Sequence, residues 1–145
     1  TPIHRAARGG VAIRGYDARL RRVMELPVPK TRVYSPAVAE PPPGRWSNAV
    51  RAGDFLFVSG LVSRSSDGKT VEGKGEYEQS KIIFTKMRNL VEAAGGTMAD
   101  VVKLTIFVVD ITKNTEVWRA RQAFFSGGEA VVRAWRRVLD RRQRR

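Results

Sequence analysis

The run from Arg51 to Val62, R-A-G-D-F-L-F-V-S-G-L-V, constrains the fold more than any other stretch. Alternation along a strand sends Phe55, Phe57 and Ser59 to one side and Leu56, Val58 and Gly60 to the other. Both sets are mostly apolar, which predicts a central strand covered on both faces. Ala52-Gly53-Asp54 supplies the turn before it. At its far end stands Ser59-Gly60, where a hydroxyl sits beside a residue with no side chain to bar a ligand from the backbone. A bulge or a packing contact at Gly60 reads the same way from sequence.

A chain of 145 residues is enough for one domain with a real core. It has no cysteine, so disulfides, zinc–thiolate sites and thiol catalysis are excluded. His4 is the single histidine, which argues against a Ser-His-Asp triad and a histidine metal site. No apolar run is long enough to span a bilayer, and the N-terminal arginines do not flank the apolar segment of a signal peptide. The cytoplasm is the expected location, with no membrane partner.

The net charge of +13 sits mainly at the two ends. Residues 1–40 hold eight basic and three acidic side chains, and residues 126–145 hold seven arginines against Glu129 and Asp140. Such ends read first as solvated tails. They also predict weak nucleic-acid binding through phosphate contacts, steeply salt-dependent and indifferent to sequence. Filter binding across a salt series checks this. Removing residues 1–23 and 134–145 should abolish the binding and leave the domain folded, whereas binding that persists would place the site on the core.

Three regions follow: a basic, proline-rich arm over 1–43, a core over 44–128 and a basic segment over 129–145. Pro27, Pro29 and Pro41-Pro42-Pro43-Gly44 make the arm extended. Arg45–Val50 reads as a first strand pairing with the Phe55 strand, and Ser65-Ser66-Asp67-Gly68 marks a second hairpin. Helical spacing covers Glu76–Ala94, closed by Gly95-Gly96, and Thr97 caps a short turn through Asp100. Val101–Val109 is a buried strand by composition. A second helix over Thr115–Phe125 turns Val117, Trp118, Ala120, Ala123 and Phe124 inward. Residues 130–145, with Val131, Val132, Trp135, Val138 and Leu139 at helical spacing, read as a basic amphipathic helix. The order predicts an α+β layer with two helices on one face of a sheet.

Several of these segments together resemble the Rid family, the reactive-intermediate deaminases or YjgF family, with the older names translation-initiation inhibitor and L-PSP endoribonuclease. They are Trp46-Ser47-Asn48-Ala49-Val50-Arg51-Ala52-Gly53, Phe57-Val58-Ser59-Gly60, Leu90-Val91-Glu92-Ala93-Ala94-Gly95 and Asp100-Val101-Val102-Lys103-Leu104-Thr105-Ile106-Phe107, followed by Asp110 and Phe124-Phe125. The resemblance spans about residues 44–128. It implies a chorismate-mutase-like α+β fold and a homotrimer with pockets between subunits. It also implies hydrolysis of enamines and imines, released by pyridoxal-phosphate enzymes, to ketoacids and ammonia, with no metal or organic cofactor. In that family an arginine and the backbone at the Gly60 position hold the substrate carboxylate. Ser59 and Trp46 match two residues lining the pocket, and a glutamate near the C-terminus is thought to position the water.

The chain departs from this pattern where the chemistry lies. Trp46 stands where the family has a tyrosine, and Trp118 where it often has an asparagine. The Pro-x-Arg-Ser segment is missing after Phe124-Phe125, although Arg133 falls at nearly the distance of the family arginine. No glutamate follows Glu129. The candidate carboxylate clamps are Arg133 and Arg45. Both tryptophans fit core or interface packing as well as ligand contact. Three functions compete: an imine deaminase, a trimer of the same fold that binds small molecules without hydrolysis, and an RNA-binding protein. Against the last, the sequence has no aromatic–basic RNA-recognition motif.

Overall fold

Gly53 adopts a φ of +58°, which lets Gly53 and Asp54 alone reverse the chain between strands β2 (Ala49–Ala52) and β3 (Phe55–Val58). A computed structural model describes residues 27–125 and, as backbone, residues 132–137. The arm residues Lys30–Val33 form strand β1, which pairs antiparallel with β2, Lys30 opposite Ala52 and Val33 opposite Ala49. The sheet order is β1-β2-β3. The first strand of the expected hairpin therefore begins at Ala49 rather than Arg45. The expected second hairpin is a bridge between Arg64 and Val71 around the Ser65–Gly68 turn.

Helix α1 (Gly75–Ala93) follows. Gly73 and Gly75 turn the chain into it with φ of +85° and +68°, and the Glu78 carboxylate accepts from the Lys74 N–H at 2.6 Å. A Cβ on Gly73 would lie 2.9 Å from the Gln79 nitrogen and 3.0 Å from the Glu78 carbonyl carbon. Gly73→Ala is therefore expected to cost about 2–3 kcal/mol of stability, read from urea unfolding. A loss below about 0.5 kcal/mol, the level of a neutral surface change, would show that this turn tolerates a side chain. The helix closes as the double glycine predicts: the Gly95 N–H donates to Glu92 O at 2.8 Å and the Gly96 N–H to Val91 O at 3.0 Å, with Gly95 at φ +82°. Arg51 of β2 donates to the Ala94 carbonyl beside this end.

Thr97 then opens the turn Met98–Asp100, and its N–H and hydroxyl both donate to the Asp100 carboxylate, at 2.7 and 2.9 Å. These bonds, the backbone one first, hold the Asp100 pKa below its usual 3.8. Because the folded value is depressed, this contribution is complete above that pH and fades as acid protonates the carboxylate.

Strand β4 (Lys103–Val108), the turn Ile111–Lys113 and helix α2 (Asn114–Gln122) come next, and β5 (Val132–Arg137) pairs parallel with β4. Phe84, Met98, Leu104, Val108, Val117, Ala120 and Phe125 form one core cluster, with Phe125 edge-on to Phe84 at 5.9 Å. Val38, Ala49 and Leu90 form a second, backed by Leu56 and Val58. Helix α1 serves both, through Phe84 and through the fully buried Leu90. The α+β arrangement of antiparallel sheet and two helices is as expected.

Four expectations are corrected. Strand β3 ends its sheet among the described residues, and Phe55 and Phe57 are 66% and 63% exposed while Leu56 and Val58 pack inward. Strand β4 likewise buries Leu104 and Val108 but exposes Phe107. Hydrophobicity on both faces of a strand cannot say what covers the second face, and within this chain the helices cover only one. On α2, Val117 and Ala120 face the core, whereas Trp118, and Ala123 just past the end of the helix, are exposed. Residues 132–137 are a strand, not part of an amphipathic helix: a parallel edge on β4 satisfies their backbone over six residues, and this overrules a helical spacing carried by β-branched valines. The rest of the expected helix lies outside the described residues, and removing 134–145 would cut β5 after Arg133, so that deletion does not spare the fold as the sequence predicts.

Candidate functional site

Ser59 and Gly60 leave β3 where its pairing stops. The Ser59 N–H donates to Asn48 O at 2.9 Å, which ties the two segments together. Asn48 is itself buried, and its Nδ2 donates to Ala39 O at 3.0 Å and to Glu40 Oε1 at 3.3 Å. One amide thus fastens the proline loop against Ser59. Between that loop, Trp46, Gly60 and the Arg64–Gly68 turn lies a cleft of about 590 Å³, with Lys86 at its side.

The walls are held by groups whose roles are not visible in the sequence. Arg32 of β1 donates through Nε to Ser47 Oγ at 2.6 Å and through Nη2 to Trp46 O at 2.8 Å, which fixes the Trp46 backbone. Lys86 of α1 reaches Val62 O at 3.1 Å and Arg64 O at 2.5 Å and pins the loop after Gly60. The Asp67 carboxylate accepts from the Ser65 hydroxyl at 2.5 Å and the Lys69 N–H at 3.0 Å, and in that order these lower its pKa. Arg32 and Lys86 lie 14 and 24 residues from the carbonyls they hold, so no local motif announces them.

Trp46 and Gly60 meet in this cleft. The Ser59 hydroxyl is buried and has no hydrogen-bond partner among the described residues. A Cβ placed on Gly60 would meet nothing within 4 Å. Arg45 is exposed on the turn closed by its N–H to Pro42 O at 3.3 Å. The other two candidates lie on α2 and β5. Trp118 is half-exposed on α2, outside the cleft lining, and Arg133 stands in β5 opposite Leu104. Among the described residues no three His, Cys, Asp or Glu side chains group as metal ligands, and no helix is long and apolar enough to cross a membrane.

Sheet, helices and an open Ser-Gly corner define an α+β domain of the L-PSP type. The chain belongs to the endoribonuclease L-PSP family, the family of the Rid proteins: its model matches residues 37–138, a span that reaches through β5. A RutC family protein of Pyrococcus abyssi is 34% identical over 74 residues, which cover 50% of this chain and 58% of that protein. The 2-iminobutanoate/2-iminopropanoate deaminase of Dermatophagoides farinae is 36% identical over 80 residues, 53% of this chain and 60% of the relative. The chain thus spans less than two thirds of the length of these two relatives. A Rid-family protein of unknown function from Yersinia pestis superposes with a TM-score of 0.68 over 76% of this chain and 86% of its own, at 22% identity, which shows the fold.

Proposed function

We propose that this chain is a subunit of a homotrimeric, cofactor-independent hydrolase that deaminates the enamine and imine forms of small ketoacids in the cytoplasm. One observation carries the reading: Gly60 has open space where a side chain would stand and lines a cleft walled by Trp46, while the buried hydroxyl of its neighbour Ser59, which does not itself line that cleft, has no partner among the described residues. A buried hydroxyl without a partner costs about 1–3 kcal/mol, and a ligand that completes its bonding recovers that cost. The mite relative named for 2-iminobutanoate supports the same chemistry.

In the reaction, water adds to the imine carbon, the nitrogen gains a proton, and the carbinolamine collapses to ketoacid and ammonia. The Gly60 N–H and Ser59 hydroxyl bind and orient the substrate, Trp46 packs against it, and Arg133 or Arg45 holds its carboxylate. Trp118 supplies an aromatic wall from an adjoining subunit. Exposed Phe55, Phe57, Phe107 and Val109 support the trimer, because this much aromatic surface is more than scattered exposure.

A second reading rests on Trp46 and Trp118, which stand where the family has a tyrosine and often an asparagine: the trimer binds small carboxylates or carbonyl compounds and does not hydrolyse them. The two separate in one assay. The imine is generated in situ by a threonine dehydratase, ketoacid release is followed, and 2-ketobutanoate is titrated into the protein by calorimetry. Release above the spontaneous rate establishes hydrolysis. Binding without release establishes the second reading, and neither signal sinks both.

A further inference from the structure

Two carboxylates, Glu40 and Asp67, line the cleft beside Gly60, and the reaction above uses neither. They are held differently. The Asp67 carboxylate accepts from the Ser65 hydroxyl and the Lys69 N–H, and these bonds lower its pKa and weaken it as a base. Glu40 is exposed at the rim, and its Oε1 accepts from Asn48 Nδ2 at 3.3 Å. Asn48 is buried, and its backbone carbonyl accepts from the Ser59 N–H at 2.9 Å. One residue thus holds Glu40 on one side and the Ser59-Gly60 corner on the other. The same amide donates to Ala39 O at 3.0 Å, and the fixed φ angles of Pro41-Pro42-Pro43 stiffen the loop beyond Glu40. Lys86 and Arg64 also line the cleft, but both act there as donors, to Val62 O and Arg64 O and to Gly68 O.

We propose that Glu40 is the general base of this cleft and takes a proton from the water that attacks the imine carbon. This rests on the hydrolase reading above and adds a catalytic residue to it. The amide bond to Asn48 orients the carboxylate without exhausting it, because its two oxygens accept at several positions. In the step, the water oxygen bonds to the carbon of the protonated imine, the C=N π pair moves to nitrogen, and the water proton passes to Glu40. Glu40 then returns that proton to the nitrogen of the carbinolamine. An oxygen lone pair forms the C=O bond, the C–N pair leaves with nitrogen, and the hydroxyl proton departs with it as ammonium. The carboxylate ends as it began. Its negative charge in the same cleft also favours the protonated imine, the more electrophilic form.

The test compares the full native chain with Glu40→Gln and Glu40→Ala, reading ketoacid release from imine generated in situ by a threonine dehydratase. Glutamine keeps an oxygen for the Asn48 amide, so it spares the loop and removes the proton acceptor. Circular dichroism and urea unfolding of that variant should match the native chain. The expected result is a fall in kcat of about tenfold or more in both variants, with KM little changed. Added formate, a free carboxylate, should restore release in Glu40→Ala but not in Glu40→Gln, where a side chain still fills the place. A smaller fall in kcat, a loss carried by KM, or a Glu40→Ala variant indifferent to formate would overturn the proposal. Native release with unimpaired Glu40 variants strikes the role of Glu40 alone. No release by the native chain above the spontaneous rate strikes the hydrolase reading, and this role with it.

Discussion

Phe57→Asp is expected to leave a 16.2 kDa species where the native chain travels at three times that mass. Phe57 is 63% exposed and lies 6.5 Å, ring to ring, from the equally exposed Phe55. Burying one such ring in an interface is worth about 1.5–3 kcal/mol, and the same position recurs in every subunit of a closed ring. An aspartate there replaces that gain with an unpaired buried carboxylate. The single chain should be unaffected, because the opposite face of β3 holds the Leu56 and Val58 contacts. Light scattering at micromolar concentration, with circular dichroism as the folding control, reads the outcome. A native chain of monomer mass would remove the trimer, and a variant of unchanged mass would remove this face as its interface.

Arg133→Ala is expected to lower ketoacid release by roughly two to three orders of magnitude, since a charge-assisted contact to a substrate carboxylate is worth a few kcal/mol. Arg45→Ala should act more weakly, because Arg45 lies on an exposed turn. Ser59→Ala should lower kcat/KM while leaving the fold intact, since it removes a hydroxyl that has no partner among the described residues. The native rate itself should be low, because Trp46 stands where the family has a tyrosine and brings no hydroxyl to the site. Turnover indifferent to both arginine changes would end the assignment of the clamp. Loss with Arg133→Ala alone would place the C-terminal strand in the site.

What could be read from the sequence was local. Gly95-Gly96 announced the end of α1 because a glycine takes the left-handed residue that closes a helix at little cost, and Thr97-x-x-Asp100 announced the cap of the short turn that follows. The end of β3 at Ser59-Gly60 could be placed from sequence, but its use could not, because a bulge or a packing contact at Gly60 has the same pattern. Contacts over long sequence distances were not. Arg32 holding Trp46, Lys86 pinning the loop after Gly60, and β5 joining β4 all depend on where the chain returns to itself. The exposure of Phe55 and Phe57 escaped for another reason: apolar residues on both sides of a strand look the same whether covered by their own chain or by another.

Helix α1 belongs to both core clusters, and the contact between Phe84 and Leu90 is a rod of six residues, about 9 Å long. No described strand pair joins the two sheets. Within the described residues, the two clusters are two provinces that share one axle. Substitutions under β4 can accumulate without disturbing the Trp46–Gly60 corner so long as the rod keeps its length and pitch. A single inserted residue in α1 between Phe84 and Leu90 would turn one province by about 100° against the other. The tolerance of this protein to insertions and deletions should thus be lowest along that one helix.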